Sequence, residues 1–136
     1  MIIFFALHLC SIAMTWGTLP VDRMETCVEV AMSAMDHGID PRLAVALAYT
    51  ESRFNPKAVS PVGAQGPLQV IPFFHCPNRT IRDCDLIAAG MDAIIRFKKK
   101  RGREWLCHWN SGNRCNRRSR LFAKIVNRRR RQLGGN

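Results

Sequence analysis

The sequence predicts a mostly α protein with a single domain. Apolar residues recur at helical spacing in five segments, and each segment has start and stop residues at its ends. Only the stretch 56–84 lacks that periodicity and is dense in turn residues, so it is expected to be loop or short irregular strands. A chain of 136 residues suits one hydrophobic core, and no internal repeat divides it.

The first seventeen residues, MIIFFALHLCSIAMTWG, are an apolar run of signal-peptide length, shorter than the roughly 20 residues of a comfortable membrane span. Residues 1–17 are therefore expected to be a signal peptide or membrane-targeting segment, with cleavage after Ala13 or Gly17 or retention as an anchor. The only positive charge before the run is the α-amino group. Residues 18–116 are expected to form the domain proper, and residues 117–136 a basic helix and tail.

Within the domain a helix is expected over 22–37, opened by Asp22 and Glu25 and closed by Gly38. Asp40 followed by Pro41 reads as an N-cap with proline at the first helical position, starting a helix over 41–54. Leu43, Ala44, Leu47 and Ala48 make its buried stripe, and Val45, Ala46 and Tyr49 fill the sides. Asn55-Pro56 stops it, because the residue before a proline is driven out of the α region. Ser60-Pro61, Gly63, Gly66 and Pro67 then mark turns. A long helix over 85–101 carries Leu86, Ile87, Met91, Ile94, Ile95 and Phe97, with Gly90 allowing close packing and Gly102 ending it. Shorter and terminal helices are expected over 103–109 and 117–133.

Glu51 is the residue in which this pattern becomes chemistry. It stands near the end of a helix that is apolar almost all round, where desolvation penalises the charged form and raises the carboxyl pKa. Such a group holds its proton long enough to serve as a general acid. Taken alone, an acidic residue at a helix end is an ordinary solvated one. The residues around it decide otherwise: Glu51-Ser52, then Phe54-Asn55-Pro56, then Gly63-Ala64-Gln65-Gly66-Pro67-Leu68-Gln69, then Pro72. This series resembles the catalytic domain of the soluble lytic transglycosylases, lysozyme-like enzymes that cleave peptidoglycan. Leu68 stands where that family usually has methionine, a volume-conserving exchange. His108-Trp109-Asn110-Ser111-Gly112 resembles the family's Ala-Tyr-Asn-Ala-Gly motif, keeping Asn and Gly and replacing Tyr with Trp109. The resemblance covers about residues 22 to 113.

The resemblance implies a lysozyme-like fold and cleavage of the MurNAc–GlcNAc β-1,4 bond with formation of 1,6-anhydromuramic acid, lysozyme-type hydrolysis being the open alternative outcome at the same bond. Glu51 would protonate the leaving oxygen and then, as carboxylate, take the proton from the muramic 6-hydroxyl. Ser52 would orient the N-acetyl group or the glutamate, and Gln69 and Asn110 would hydrogen-bond the glycan. Trp109 is open between a sugar platform and a core aromatic. No second carboxylate stands near Glu51 in sequence; Asp83, Asp85, Asp92 and Glu104 fit helix starts or exposed faces. Neither cofactor nor metal is expected, and the partners expected are peptidoglycan glycan strands, bound by a monomer.

Six cysteines suit an oxidising compartment. Cys76/Cys84 and Cys107/Cys115 each enclose a short loop and are the simplest pairs; Cys10 would leave with the signal, so that Cys27 remains single. His75-Cys76 with Cys107-His108 could alternatively ligate zinc, although no close ligand pair such as Cys-x-x-Cys is present. Secretion to the periplasm or envelope follows. Charge is polarised: residues 98–131 hold 14 Lys and Arg against the single acid Glu104, within a net charge of +11. A basic segment of this kind attracts anionic envelope polymers without requiring a specific nucleic acid. Leu121, Phe122, Ile125 and Val126 give it one apolar face, so a packed amphipathic helix is expected. The rival class is a secreted cationic protein that binds nucleic acid or membranes and in which Glu51 is inert.

Overall fold

A computed structural model describes residues 1–134 of the chain. Seven α-helices make up the described part: α1 Ile2–Ala13, α2 Arg23–Asp36, α3 Pro41–Ser52, α4 Pro72–His75, α5 Leu86–Arg101, α6 Trp105–Ser111 and α7 Arg117–Gln132. Three 3₁₀ turns, at Met14–Trp16, Pro77–Arg79 and Gly102–Glu104, connect them. The only β features among the described residues are two isolated bridges, Val59 with Gln65 and Gln65 with Val70. The mostly α fold is thus observed, and it is consistent with a lysozyme-like one. The expected tail 117–136 is described up to Gly134; residues 135 and 136 lie outside the described residues.

Helix α3 is the axis of the molecule. Every residue from Leu43 to Tyr49 is buried, as a helix apolar on all sides requires. Helices α1, α2 and α7 pack around it, α6 packs on α7, and α5 bridges α2 and α6. Asp40 caps α3 by accepting from the Arg42 amide at 2.9 Å. The Arg42 side chain then ties three elements together. Its guanidinium lies 5.0 Å from the Phe5 ring of α1, its Nε donates to the Leu133 carbonyl beyond α7 at 3.2 Å, and its Nη1 lies 3.6 Å from Asp40.

Helix α5 packs against the loop after α3 at Gly90, where a Cβ would stand 2.4 Å from Leu68 Cδ1 and 3.0 Å from Leu68 Cβ. Leu68, at the position where methionine was expected from the resemblance, is 1% exposed and belongs to the core. Asp85 caps α5 through the Ile87 and Ala88 amides. Asn116 and Ser119 form a capping box that starts α7.

Two expectations need correcting. Helix α3 ends at Ser52, two residues earlier than expected, because Arg53 and Phe54 adopt left-handed backbone (φ 53° and 61°). That reversal turns the chain back and places Phe54 wholly inside the core, and this burial offsets the strain of a bulky residue at positive φ. The second concerns Cys27, which is paired in the full chain; a single Cys27 is the expectation for a chain that has lost residues 1–17. Cys10 and Cys27 form a disulfide with Cα atoms 5.8 Å apart, because α1 packs along α2 and buries Ala6, Leu9, Cys10 and Ala13. The bridges Cys76–Cys84 and Cys107–Cys115 are those expected. No helix among the described residues is long and apolar enough to cross a membrane.

Candidate active site

Glu51 lies in the last turn of α3, and its surroundings fix its chemistry. Burial pushes its carboxyl from the ordinary 4.5 up to about 7, against the opposing pull of a hydrogen bond from Trp109. In that bond the Trp109 indole Nε1–H donates to Glu51 Oε2 at 2.9 Å across 58 residues of sequence. An indole N–H cannot accept, so Oε2 must carry a lone pair in both protonation states. The carbonyl oxygen of a neutral carboxyl is a better acceptor than its hydroxyl, so this bond favours the acidic proton on Oε1.

Trp109 is itself held by aromatic edges. Phe97 of α5 lies 5.2 Å away and Trp105 of α6 6.1 Å away, both T-shaped, a geometry that suits ring quadrupoles. The replacement of tyrosine by Trp109 thus removes a phenolic hydroxyl from the motif but keeps a hydrogen-bond donor on the glutamate.

Trp109 and Gln69 line a cleft of about 630 Å³, together with Asn110, Phe74, His75 and Lys100. A recess of about 280 Å³, sharing Phe97, Lys100, Gly112 and Asn113 with it, extends the cleft past Arg96 and Arg101. An elongated groove with a basic wall suits a polymer that carries carboxylates. Glu51 is not among the residues lining the cleft; it is hydrogen-bonded to Trp109, which is, and it keeps partial exposure.

Of the residues singled out by sequence, Gln69, Trp109 and Asn110 come together around the cleft, and Glu51 joins them through Trp109. Gln69 sits at φ 54° in the turn, and its amide Nε2 donates to the carbonyls of Ala58 (3.2 Å) and Gly66 (3.0 Å). Both donors are spent on the loop, so Oε1 is left as an acceptor. Ser52 is placed differently. Its hydroxyl lies 2.8 Å from the Pro67 carbonyl and 3.2 Å from the Ala48 carbonyl, and it accepts from the Asn55 amide at 3.2 Å. It therefore latches the 60s turn onto the end of α3, beside Glu51.

Sequence reasoning did not single out Phe74, His75, Phe97 or Lys100 as parts of this cleft. Phe74 is 67% exposed although it lies at the cleft wall, where an apolar ring can cover a sugar face. The signal available was the Phe73-Phe74-His75 run directly after Pro72, an unusual aromatic cluster in a polar stretch. His75 Nδ1 accepts from Arg96 Nη2 at 3.0 Å, and burial together with the Arg96 charge lowers its pKa, keeping the ring neutral.

Among the described residues no carboxylate lines the cleft or its recess; Asp83, Asp85 and Asp92 line the adjoining pocket past Phe74 and His75. The Asp85 carboxylate is engaged as the α5 cap, and Asp92 faces His37 at 3.8 Å. The metal-like grouping of Glu104, Cys107, His108 and Cys115 has ligand atoms within 4.8 Å of one another. Both of its sulfurs are joined in the Cys107–Cys115 bridge, which removes the thiolates zinc requires.

Residues 29–80 match the sequence model of the transglycosylase SLT domain, consistent with the soluble lytic transglycosylase, lysozyme-like family. The match takes in the second half of α2, α3 with Glu51, the Gly63–Gln69 turn and α4. No curated protein and no solved structure matches the chain.

Proposed function

We propose, with the SLT-domain match as premise, that the chain is a peptidoglycan lytic transglycosylase and that Glu51 is its single acid–base group. The observation that carries this reading is the burial of Glu51, which pushes its carboxyl up to about 7, and its hydrogen bond to Trp109 on the wall of a cleft that no carboxylate lines. Glycosidases that use water or an enzyme nucleophile need two carboxylates flanking the bond. With one, the substrate must supply the nucleophile. The muramic N-acetyl oxygen assists departure of the leaving group, Glu51 Oε1–H protonates the glycosidic oxygen, and the resulting carboxylate removes the proton from the 6-hydroxyl as the 1,6-anhydro ring closes. One proton leaves Glu51 and one returns, and no water is consumed.

The other residues act by placement. Trp109 holds Oε2 and stabilises the carboxylate formed halfway through the cycle. Gln69 Oε1 accepts from a sugar hydroxyl or acetamido N–H, Asn110 supplies a further amide, and Phe74 stacks on a sugar ring. Ser52 is a positioning residue that fixes the turn bearing Gln69 against α3. A secreted, envelope-facing location agrees with three disulfides and with a substrate found only there.

A peptidoglycan zymogram tests the reading. Glu51→Gln keeps shape and the Trp109 hydrogen bond but has no proton to give, so lysis should fall by at least the roughly 100-fold to 10,000-fold of lost general acid–base catalysis. A variant retaining more than about a tenth of wild-type lysis would instead favour the rival reading of a cationic protein that disrupts envelopes without catalysis.

A further inference from the structure

The arginines of α7 include a cluster whose geometry goes beyond a solvated basic face. Arg129 is half-buried, and its guanidinium stacks 4.6 Å from the Tyr49 ring and 6.0 Å from the Trp16 ring. Its Nη1 donates to Thr50 Oγ1 at 2.9 Å, and that hydroxyl is itself locked by donating to the Ala46 carbonyl at 2.7 Å. Arg129 is therefore held in one place by an aromatic surface and a fixed acceptor. A guanidinium has five N–H donors, and Thr50 takes only one of them.

Two further cations converge there. Arg53 lies 5.9 Å from the same Tyr49 ring, and Arg128 is next in sequence on the same rim. Burial lowers the pKa of Arg129; the Tyr49 phenol opposes that lowering, and the charges of Arg53 and Arg128 add to it. The ion pairs among the described residues are Arg23–Asp22, His37–Asp92 and Arg42–Asp40, so no carboxylate neutralises this group. The end of α3 offers some compensation, but a helix C-terminus is worth only about half a negative charge against three positive ones. Arg128 and Arg129, with Trp16, Ile125 and Gln132, line a cavity of about 320 Å³; Arg53 stands outside that lining.

We propose that this cavity, at the meeting of the Met14–Trp16 turn, the end of α3 and the second half of α7, is a binding site for a phosphate group. A carboxylate would meet one guanidinium in a bidentate pair, whereas a phosphate presents more oxygens and up to two charges to the two arginines that line the cavity, with the charge of Arg53 close by. Gln132 and the Trp16 indole add polar edges to the rim. The site is remote in role from Glu51 and stands whether or not Glu51 is the catalytic acid.

Thermal melting in inorganic phosphate, set against chloride at equal ionic strength, tests it. Phosphate should raise the melting temperature beyond chloride, as any ligand of the native state does. Arg128→Gln, on the exposed rim, should weaken the apparent phosphate affinity about tenfold, the size expected for one charge-assisted contact. Arg129→Gln should weaken it at least as much, with circular dichroism reporting whether the fold is kept. Arg120→Gln removes the same charge from the far end of α7 and should leave the affinity within about twofold. Co-sedimentation with phosphatidylglycerol–phosphatidylcholine vesicles then separates two sources of phosphate. Binding lost in Arg128→Gln and displaced by inorganic phosphate assigns a lipid headgroup; no vesicle binding alongside the phosphate-specific melting shift assigns a soluble phosphate. Equal shifts in phosphate and chloride, or equal losses in Arg120→Gln and Arg128→Gln, would overturn the site and leave only a diffuse positive field.

Discussion

Glu51 is costly to the fold for the same reason that it is useful. Its folded pKa of about 7 lies above the ordinary 4.5, so the folded state holds a proton that the unfolded chain has already released. Below pH 4.5 both states are protonated and no penalty arises. As pH rises to 7 and beyond stability is lost, on the order of 3 kcal/mol in full. Glu51→Gln should accordingly be more stable than wild type at pH 8 and level with it near pH 4, as read by urea melts at both pH values. A variant no more stable at pH 8 would mean that the carboxyl is not desolvated. Trp109→Phe keeps an aromatic body but removes the N–H that stabilises the carboxylate. The alkaline limb of the rate profile, expected near pH 7 for wild type, should move upward in that variant; an unmoved or lowered limb contradicts the hydrogen bond. Glu51 was legible in sequence because of the series around it, from Glu51-Ser52 through Phe54-Asn55-Pro56 to Gln69, since a carboxylate at a helix end is by itself ordinary. That Trp109 would reach it was not, since a contact across 58 residues leaves no local pattern.

At the scale of elements, catalytic geometry depends on the loop between α3 and α4 being pinned on both sides. Ser52 latches it to α3, and Leu68 presses it against Gly90 of α5. Gly90→Ala should destabilise the domain by about 1–3 kcal/mol, because Leu68 is buried with nowhere to move. Adding Leu68→Ala should recover part of that loss in a double-mutant cycle, and strict additivity would show that the two do not press on each other. Helices α2, α5 and α7 begin and end within about two residues of their sequence signals, since capping residues and apolar stripes act locally. The end of α3 was misplaced because tertiary burial of Phe54 outweighs its intrinsic preference. The single-turn helix α4 carries too few residues for any periodicity to show.

For the whole molecule, charge and covalent links matter most. The full chain folded in oxidising conditions should contain no titratable thiol, because all six cysteines pair. A chain processed after Ala13 or Gly17 would carry Cys27 as its one free thiol, so thiol titration joined with intact mass reads both the pairing and the fate of residues 1–17. Reduction should cost on the order of 2–4 kcal/mol per bridge, towards the lower end for the two eight-residue separations. The Cys10–Cys27 bond escaped the sequence reading because an apolar leader-like segment gives no sign that it also packs on α2. The polarised charge was plain from composition, yet only the folded arrangement of Tyr49, Trp16 and Thr50 around Arg129 separates a fixed cation from a solvated one.

The central claim is that one carboxyl, acting as acid and then as base, closes an anhydro ring without water. Mass spectrometry of the muropeptides released from purified peptidoglycan, at a pH below the Glu51 pKa, tests it most directly. Wild type should release 1,6-anhydromuramic products, each lighter by one water than its hydrolysed counterpart, and Glu51→Gln should release none above background. Hydrolysed reducing ends from the wild type, or anhydro products from Glu51→Gln, would contradict it.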